Sequence, residues 1–139
     1  CYDWHGGYGH PDHIQIHRVG HRAAELVQES GKSLRVLEST MNRTRIVKMI
    51  KQMGVGDFDP DGPADDGNPF GTLEEEITMA VDVSAFVETK RKSIMCHASQ
   101  VTDSSMFLHM TPEMFNMAFG EEFFIEQGQP GGAQRGWFL

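Results

Sequence analysis

Five of the chain's seven histidines fall between positions 5 and 21, and His10, His13, His17 and His21 follow one another at helical spacing. Imidazole is a common zinc ligand and the side chain best matched to proton transfer near neutral pH. The densest stretch is Gly6-Gly7-Tyr8-Gly9-His10-Pro11-Asp12-His13. In it two histidines bracket a carboxylate just after a glycine loop. A carboxylate beside an imidazole can fix its tautomer and raise its basicity, an arrangement that serves metal centres and acid/base sites alike. Tyr8 could line such a site or simply pack against the loop.

These side chains need a rigid base, and the pattern that follows supplies one. A helix is predicted from about His10 to Ser30. Pro11 suits the first helical position, where its missing N–H would have no partner, and Gly31 ends the run. At about 100° per residue, Ile16, Val19, Ala23, Leu26 and Val27 share one arc, which is the predicted inward face. His13 lies just beside that arc, His17 is turned out from it by about 40° and His21 by about 80°. His13 is therefore the best-placed ligand. His17 has helix packing as its default role, and His21 and His109 have the surface. His5 sits in a segment expected to be mobile.

Further elements are expected at 33–37 (strand), 42–53 (helix), 76–83 (strand), 84–100 (helix capped by Ser84), 111–119 (helix) and 123–126 (strand), with a flexible tail over 127–139. Helices interleaved with strands give an α/β layered class. The Gly/Pro/Asp-rich stretch 54–72 supports no regular element and reads as a solvated excursion or a lid. On the 84–100 helix, Lys90 and His97 fall within an apolar arc, so both need polar partners or the mouth of a polar cleft.

The chain has 139 residues, 39% of them hydrophobic and 23% charged, enough for one small core. Its net charge of −8 disfavours binding to a phosphate backbone, so no nucleic-acid partner is expected. No apolar run approaches the roughly 18 residues that would cross a bilayer, so no membrane partner is expected either. Cys1 and Cys96 have no CxxC spacing, which fits a reducing, cytoplasmic compartment better than a disulfide framework. The chain opens on Cys1 rather than Met, as a fragment or processed product would.

Residues 6–13 with the following Val19-Gly20, and Lys90 through Gln100 (a lysine seven residues before His-Ala-Ser-Gln), resemble the LmbE/PIG-L deacetylase family, especially its mycothiol branch. Asp82-Val83 also fits, and the resemblance covers about residues 2–126. It implies the C-terminal part of a Rossmann-like layered fold that lacks its N-terminal strands. It also implies a zinc-dependent hydrolase acting on an N-acylated glucosamine conjugate, a small-molecule partner; a homo-oligomer is compatible with it. By position, His13 resembles a zinc ligand and His10 the residue that protonates the leaving amine or stabilises the oxyanion. Asp12 resembles the carboxylate that tunes His10, Tyr8 the tyrosine over the oxyanion, and Gln100 a substrate-pocket residue. The family's His-Pro-Asp-Asp motif, with two further zinc ligands and the general base, is not among these residues: the His-Pro-Asp here is followed by His13. Two other classes stay open, a non-catalytic fragment or binding module, and a His-rich metal-binding protein using His10, His13 and His17.

Overall fold

The computed structural model describes residues 1–53, 62–64, 66–101 and 109–137. Its elements are α1 (Pro11–Glu29), β1 (Leu37–Thr40), α2 (Arg43–Met53), β2 (Met79–Asp82), a 3-10 turn (Ser84–Phe86), α3 (Val87–Met95), α4 (Pro112–Phe119), β3 (Glu121–Glu126) and β4 (Gln134–Arg135). This is a mixed α/β fold with one four-stranded sheet in the order β1-β3-β2-β4. β1 runs antiparallel to β3, with Leu37 opposite Glu126 and Thr40 opposite Phe123. β4 runs parallel to β2, with Met79 opposite Gln134.

The chain divides into two compact units, residues 1–80 with 123–139, and residues 81–122; the boundary falls within β2 and β3. In the first unit Ile77, Ala80 and Ala133 form the buried core, with Phe123 against them. Tail residues therefore join that core, and β4 lies in the stretch expected to be free. The 127–139 segment lacks alternating hydrophobicity, yet backbone bonds from Ala133 to Ile77 (2.6 Å) and from Gly136 to Ala80 (3.1 Å) hold it, independent of side-chain pattern.

Residues 1–3 add an extended segment beside β1. Tyr2 bridges Ser39 in parallel, the Asp3 N–H donates to Ser39 O and the Ser39 N–H to Cys1 O. The first strand sits at Leu37–Thr40, three to four residues later than the composition of 33–37 indicated. α2 begins where predicted because Asn42 caps it: its side-chain oxygen accepts the Arg45 N–H at 3.0 Å.

In the second unit the predicted 84–100 helix is shorter. It starts after a 3-10 turn, has no side-chain cap and ends at Met95. The Ser84 N–H is taken by Asp82 Oδ1 at 2.9 Å, so Ser84 follows an Asx turn instead of capping the helix. α4 is capped by Thr111, whose hydroxyl accepts the Met114 N–H, with Pro112 at the first helical position. Phe115 is buried here, and Arg91 lies over its ring at 5.5 Å.

α1 differs from the sequence expectation in its orientation. Ile16, Val19, Leu26 and Val27 are all exposed, Val19 by 68%, whereas Ala24 is buried and His13, His17, Gly20 and His21 are half-buried. The helix turns its histidine face inward because that face meets polar acceptors on the neighbouring segments. Periodicity counts apolar residues and cannot register such partners.

Candidate functional site

The glycine loop is anchored from below by Asp3, which is fully buried. Its Oδ1 accepts the Gly7 N–H at 2.8 Å, and its Oδ2 accepts the Thr40 hydroxyl at 2.6 Å. Thr40 in turn lies 2.7 Å from the Thr72 hydroxyl. A buried carboxylate needs partners of this kind, and here they tie the loop to β1 and to the end of the 62–72 segment. The Gly71 N–H donates to Gly7 O at 2.6 Å, closing the loop from the other side.

On this base His13 is held by its Nδ1, which donates to Gly6 O at 3.1 Å. That bond assigns the tautomer and leaves Nε2 as the lone-pair nitrogen, the state a metal ligand requires. The His13 ring stacks on Tyr2 with centroids 4.1 Å apart, and lies 5.1 Å from Tyr8 and 5.2 Å from His10. It is half-buried among aromatic rings, neither packed among aliphatic side chains nor turned away from His10 and Tyr8.

His10 occupies the N-cap of α1, and its Nδ1 accepts the Asp12 N–H at 3.2 Å. The neutral ring therefore carries its proton on Nε2. The Asp12 carboxylate stands 4.0 Å from Nδ1 and is 85% exposed, too long for a hydrogen bond. Asp12 thus reaches His10 through its backbone N–H and by charge. Tyr8 is exposed, its ring edge-on to His10 at 6.2 Å.

His5, expected in a mobile segment, is buried, with 1% exposure. Its Nε2 lies 3.4 Å from Gly71 O. Its Nδ1 has no hydrogen-bond partner, and Asp66 Oδ2 stands 3.7 Å away. The Asp66 carboxyl is held below the usual carboxylate range, chiefly by the Asn68 side-chain amide and in smaller part by its proximity to His5. Nothing in composition marked His5 or Asp3 as buried; a glycine loop immediately following them was the available signal.

His21, expected at the surface, is half-buried, and its Nε2 donates to Glu38 Oε1 at 2.8 Å. The His17 Nδ1 donates to Tyr2 O at 3.0 Å. His17 and His21 are near neighbours, with ring centroids 4.2 Å apart. Among the described residues, the set of three ligand-type side chains with mutually close donor atoms is Cys1, His17 and His21, which excludes His10 and His13. A hydrolytic zinc takes three protein ligands and a water, so His13 with its free Nε2 fits one position of such a centre.

In the second unit, Lys90 is half-buried and satisfied by Phe119 O at 3.0 Å and Glu122 Oε1 at 2.8 Å. His97 lies past the end of α3, exposed, with Nδ1 3.2 Å from Ser93 O. Gln100 is exposed in the turn that follows. Residues 54–61 of the acidic stretch lie outside the described residues.

No family model and no solved structure matches the chain. Curated proteins do match. It is 35% identical to a 1D-myo-inositol 2-acetamido-2-deoxy-alpha-D-glucopyranoside deacetylase of Nocardioides sp. over 94% of its own length and 48% of the relative's. A deacetylase of the same name from Acidothermus cellulolyticus is 33% identical over 89% of this chain and 43% of the relative. Another from Geodermatophilus obscurus is 30% identical over 98% and 50%. The chain spans about half the length of the curated relatives it matches. The resemblance carried by residues 6–13 and 90–100 is thus borne out along nearly the whole sequence: the chain is similar to half of these deacetylases, which are of the LmbE type.

Proposed function

We propose that this chain is the acid/oxyanion half of a zinc-dependent N-deacetylase, within the C-terminal part of a Rossmann-like layered domain. Its substrate is an N-acylated glucosamine conjugate, N-acetylglucosaminyl-inositol by analogy with the relatives' names. The observation that carries this is His13, whose Nδ1 is committed to Gly6 O while its Nε2 is kept for a cation beside His10 and Tyr8.

Zinc, when bound, acidifies a water and polarises the acyl oxygen. His13 supplies one ligand, and the other two, with the carboxylate base, come from the half of the relatives' length not spanned here. His10, its neutral ring oriented by the Asp12 N–H, presents Nε2–H as a hydrogen-bond donor to the oxyanion, and as imidazolium it would pass that proton to the leaving amine. Tyr8 adds a phenol donor for the same oxyanion. Gln100 takes a substrate-binding role on family grounds alone. Two free thiols fit a cytoplasmic setting.

A chimera tests this directly, with the matching half of the Nocardioides deacetylase replaced by this chain. It should release acetate from N-acetylglucosaminyl-inositol. His10→Ala should lower kcat by about 10²–10⁴-fold with zinc retained, whereas His13→Ala should lose both zinc and activity. A folded, zinc-loaded, active chimera indifferent to His10→Ala would remove His10 from the chemistry. Zinc retained in full by His13→Ala would remove the ligand assignment.

A further inference from the structure

We infer that Cys1, His17 and His21 form a second metal site, separate from His13, that takes a single borderline-soft divalent cation such as zinc. One donor atom from each residue lies within 4.8 Å of the others. A tetrahedral zinc with sulfur and imidazole ligands asks for donor separations of about 3.3–3.6 Å. Closing the set therefore needs movements of at most about 1.5 Å, shared between the thiol and the two rings.

Three further observations support the assignment. Each imidazole is already oriented by an outer partner. His17 Nδ1–H donates to Tyr2 O at 3.0 Å, which leaves Nε2 as the lone-pair nitrogen. His21 Nε2–H donates at 2.8 Å to Glu38, whose carboxylate is 9% exposed, which leaves Nδ1. A carbonyl behind one histidine and a carboxylate behind the other is the outer shell that metal-bound histidines characteristically have. The Gln127 amide touches His21 Nδ1 only at 3.5 Å, a contact an ion would displace.

The second observation is Gly20, between the two histidines on α1. A Cβ there would stand 2.7 Å from Cys1 Cβ and 3.3 Å from its sulfur, so glycine is what lets the thiol approach the helix. The third is access. A cleft bordered by Cys1, Gly20, Ala23 and Ala24 opens beside the cluster, and Cys1 itself is exposed. Mixed thiolate and imidazole donors favour zinc over magnesium or calcium, which take oxygen ligands. A bound ion would fasten residues 1–3 to α1, and with them Tyr2 against His13 and Asp3 beneath the glycine loop.

Cobalt(II) titration of the 139-residue chain, with zinc as competitor, tests this site independently of the deacetylase assignment. One equivalent of cobalt should give the tetrahedral visible bands and a near-ultraviolet thiolate-to-cobalt band, both displaced by zinc. Cys1→Ser, at an exposed position where the fold should be kept, should abolish the thiolate band. Glu38→Gln should weaken binding about tenfold, and Gly20→Ala should weaken it with all three ligands intact. His13→Ala should leave the spectrum unchanged. No thiolate band at saturating cobalt, or a band lost in His13→Ala but kept in folded His17→Ala, would overturn the proposal.

Discussion

Gly6 shows how closely one residue governs the site. Its φ of 68° lies in the left-handed region, and a Cβ there would stand 2.4 Å from the Cβ of His13. Only glycine satisfies both constraints, so the loop can press against α1 and offer its carbonyl to His13 Nδ1. Gly6→Ala should lower stability by about 1–3 kcal/mol, read as a fall in thermal midpoint. In the chimera it should also weaken zinc binding, because His13 loses its orienting acceptor. An alanine variant of unchanged stability and zinc affinity would show that the contact does not position the ring. His10 and Asp12 refine the picture at the same scale. The spacing of a carboxylate two residues on predicted a tuned imidazole, and the bond that forms is to the Asp12 backbone instead.

At the scale of elements, the junction of β1, α2 and the 72–74 segment is held by one buried side chain. Asn42 is 1% exposed, caps α2 through its oxygen and donates its amide to Glu74 Oε2 at 2.8 Å. Arg45 Nε donates to the same carboxylate at 3.0 Å. The Asn42 amide, with Arg45 second, holds the Glu74 carboxyl below the usual carboxylate range. A carboxyl lowered in the folded state contributes stability that is present above its ordinary pKa of about 4.3 and lost as pH falls through the lowered folded value. Thermal midpoints measured down from neutral pH should therefore drop on the acid side, and Glu74→Gln should flatten that drop. A Glu74→Gln profile parallel to wild type would count against the linkage. The cap was legible in sequence as a polar residue opening a helical pattern. Its burial was not, because Glu74 lies 32 positions away.

The same scale explains why α1 is oriented against its apolar arc. Amphipathic periodicity assumes that the inward face meets hydrocarbon. Here it meets Tyr2 O and the Glu38 carboxylate, which satisfy His17 and His21 and make their partial burial favourable. The acidic stretch is a related case. Its composition reads as solvated, yet its described end at 66–72 closes on the glycine loop through Asp66 and Gly71, and on β1 through Thr72.

For the molecule as a whole, the consequence is an apolar stripe on α1 comprising Ile16, Val19, Leu26 and Val27, all exposed. Contiguous apolar surface of this kind marks an interaction face or an aggregation liability. The folded chain should enhance ANS fluorescence, and Val19→Glu should reduce that enhancement without lowering the thermal midpoint. An enhancement equal in the two proteins would locate the dye elsewhere. No helix among the described residues is long and apolar enough to cross a membrane, so the stripe is not part of a spanning segment.

From sequence alone came the α/β class, most helices to within a residue or two, the resemblance to the deacetylases, and the proposal of His10, Asp12, His13 and Tyr8 as site residues. Those features are local: periodicity, capping residues, and a motif in which glycines, histidines and a proline stand at fixed spacing. Only the tertiary structure decided that Asp3 and His5 are buried, that β4 joins the sheet, that Glu38 stands behind His21, and that Cys1 meets His17 and His21. Each depends on partners at least 16 residues apart, such as Cys1 and His17, or on a backbone bond indifferent to side-chain type. A linear pattern carries no record of which segment will arrive to satisfy a buried polar group.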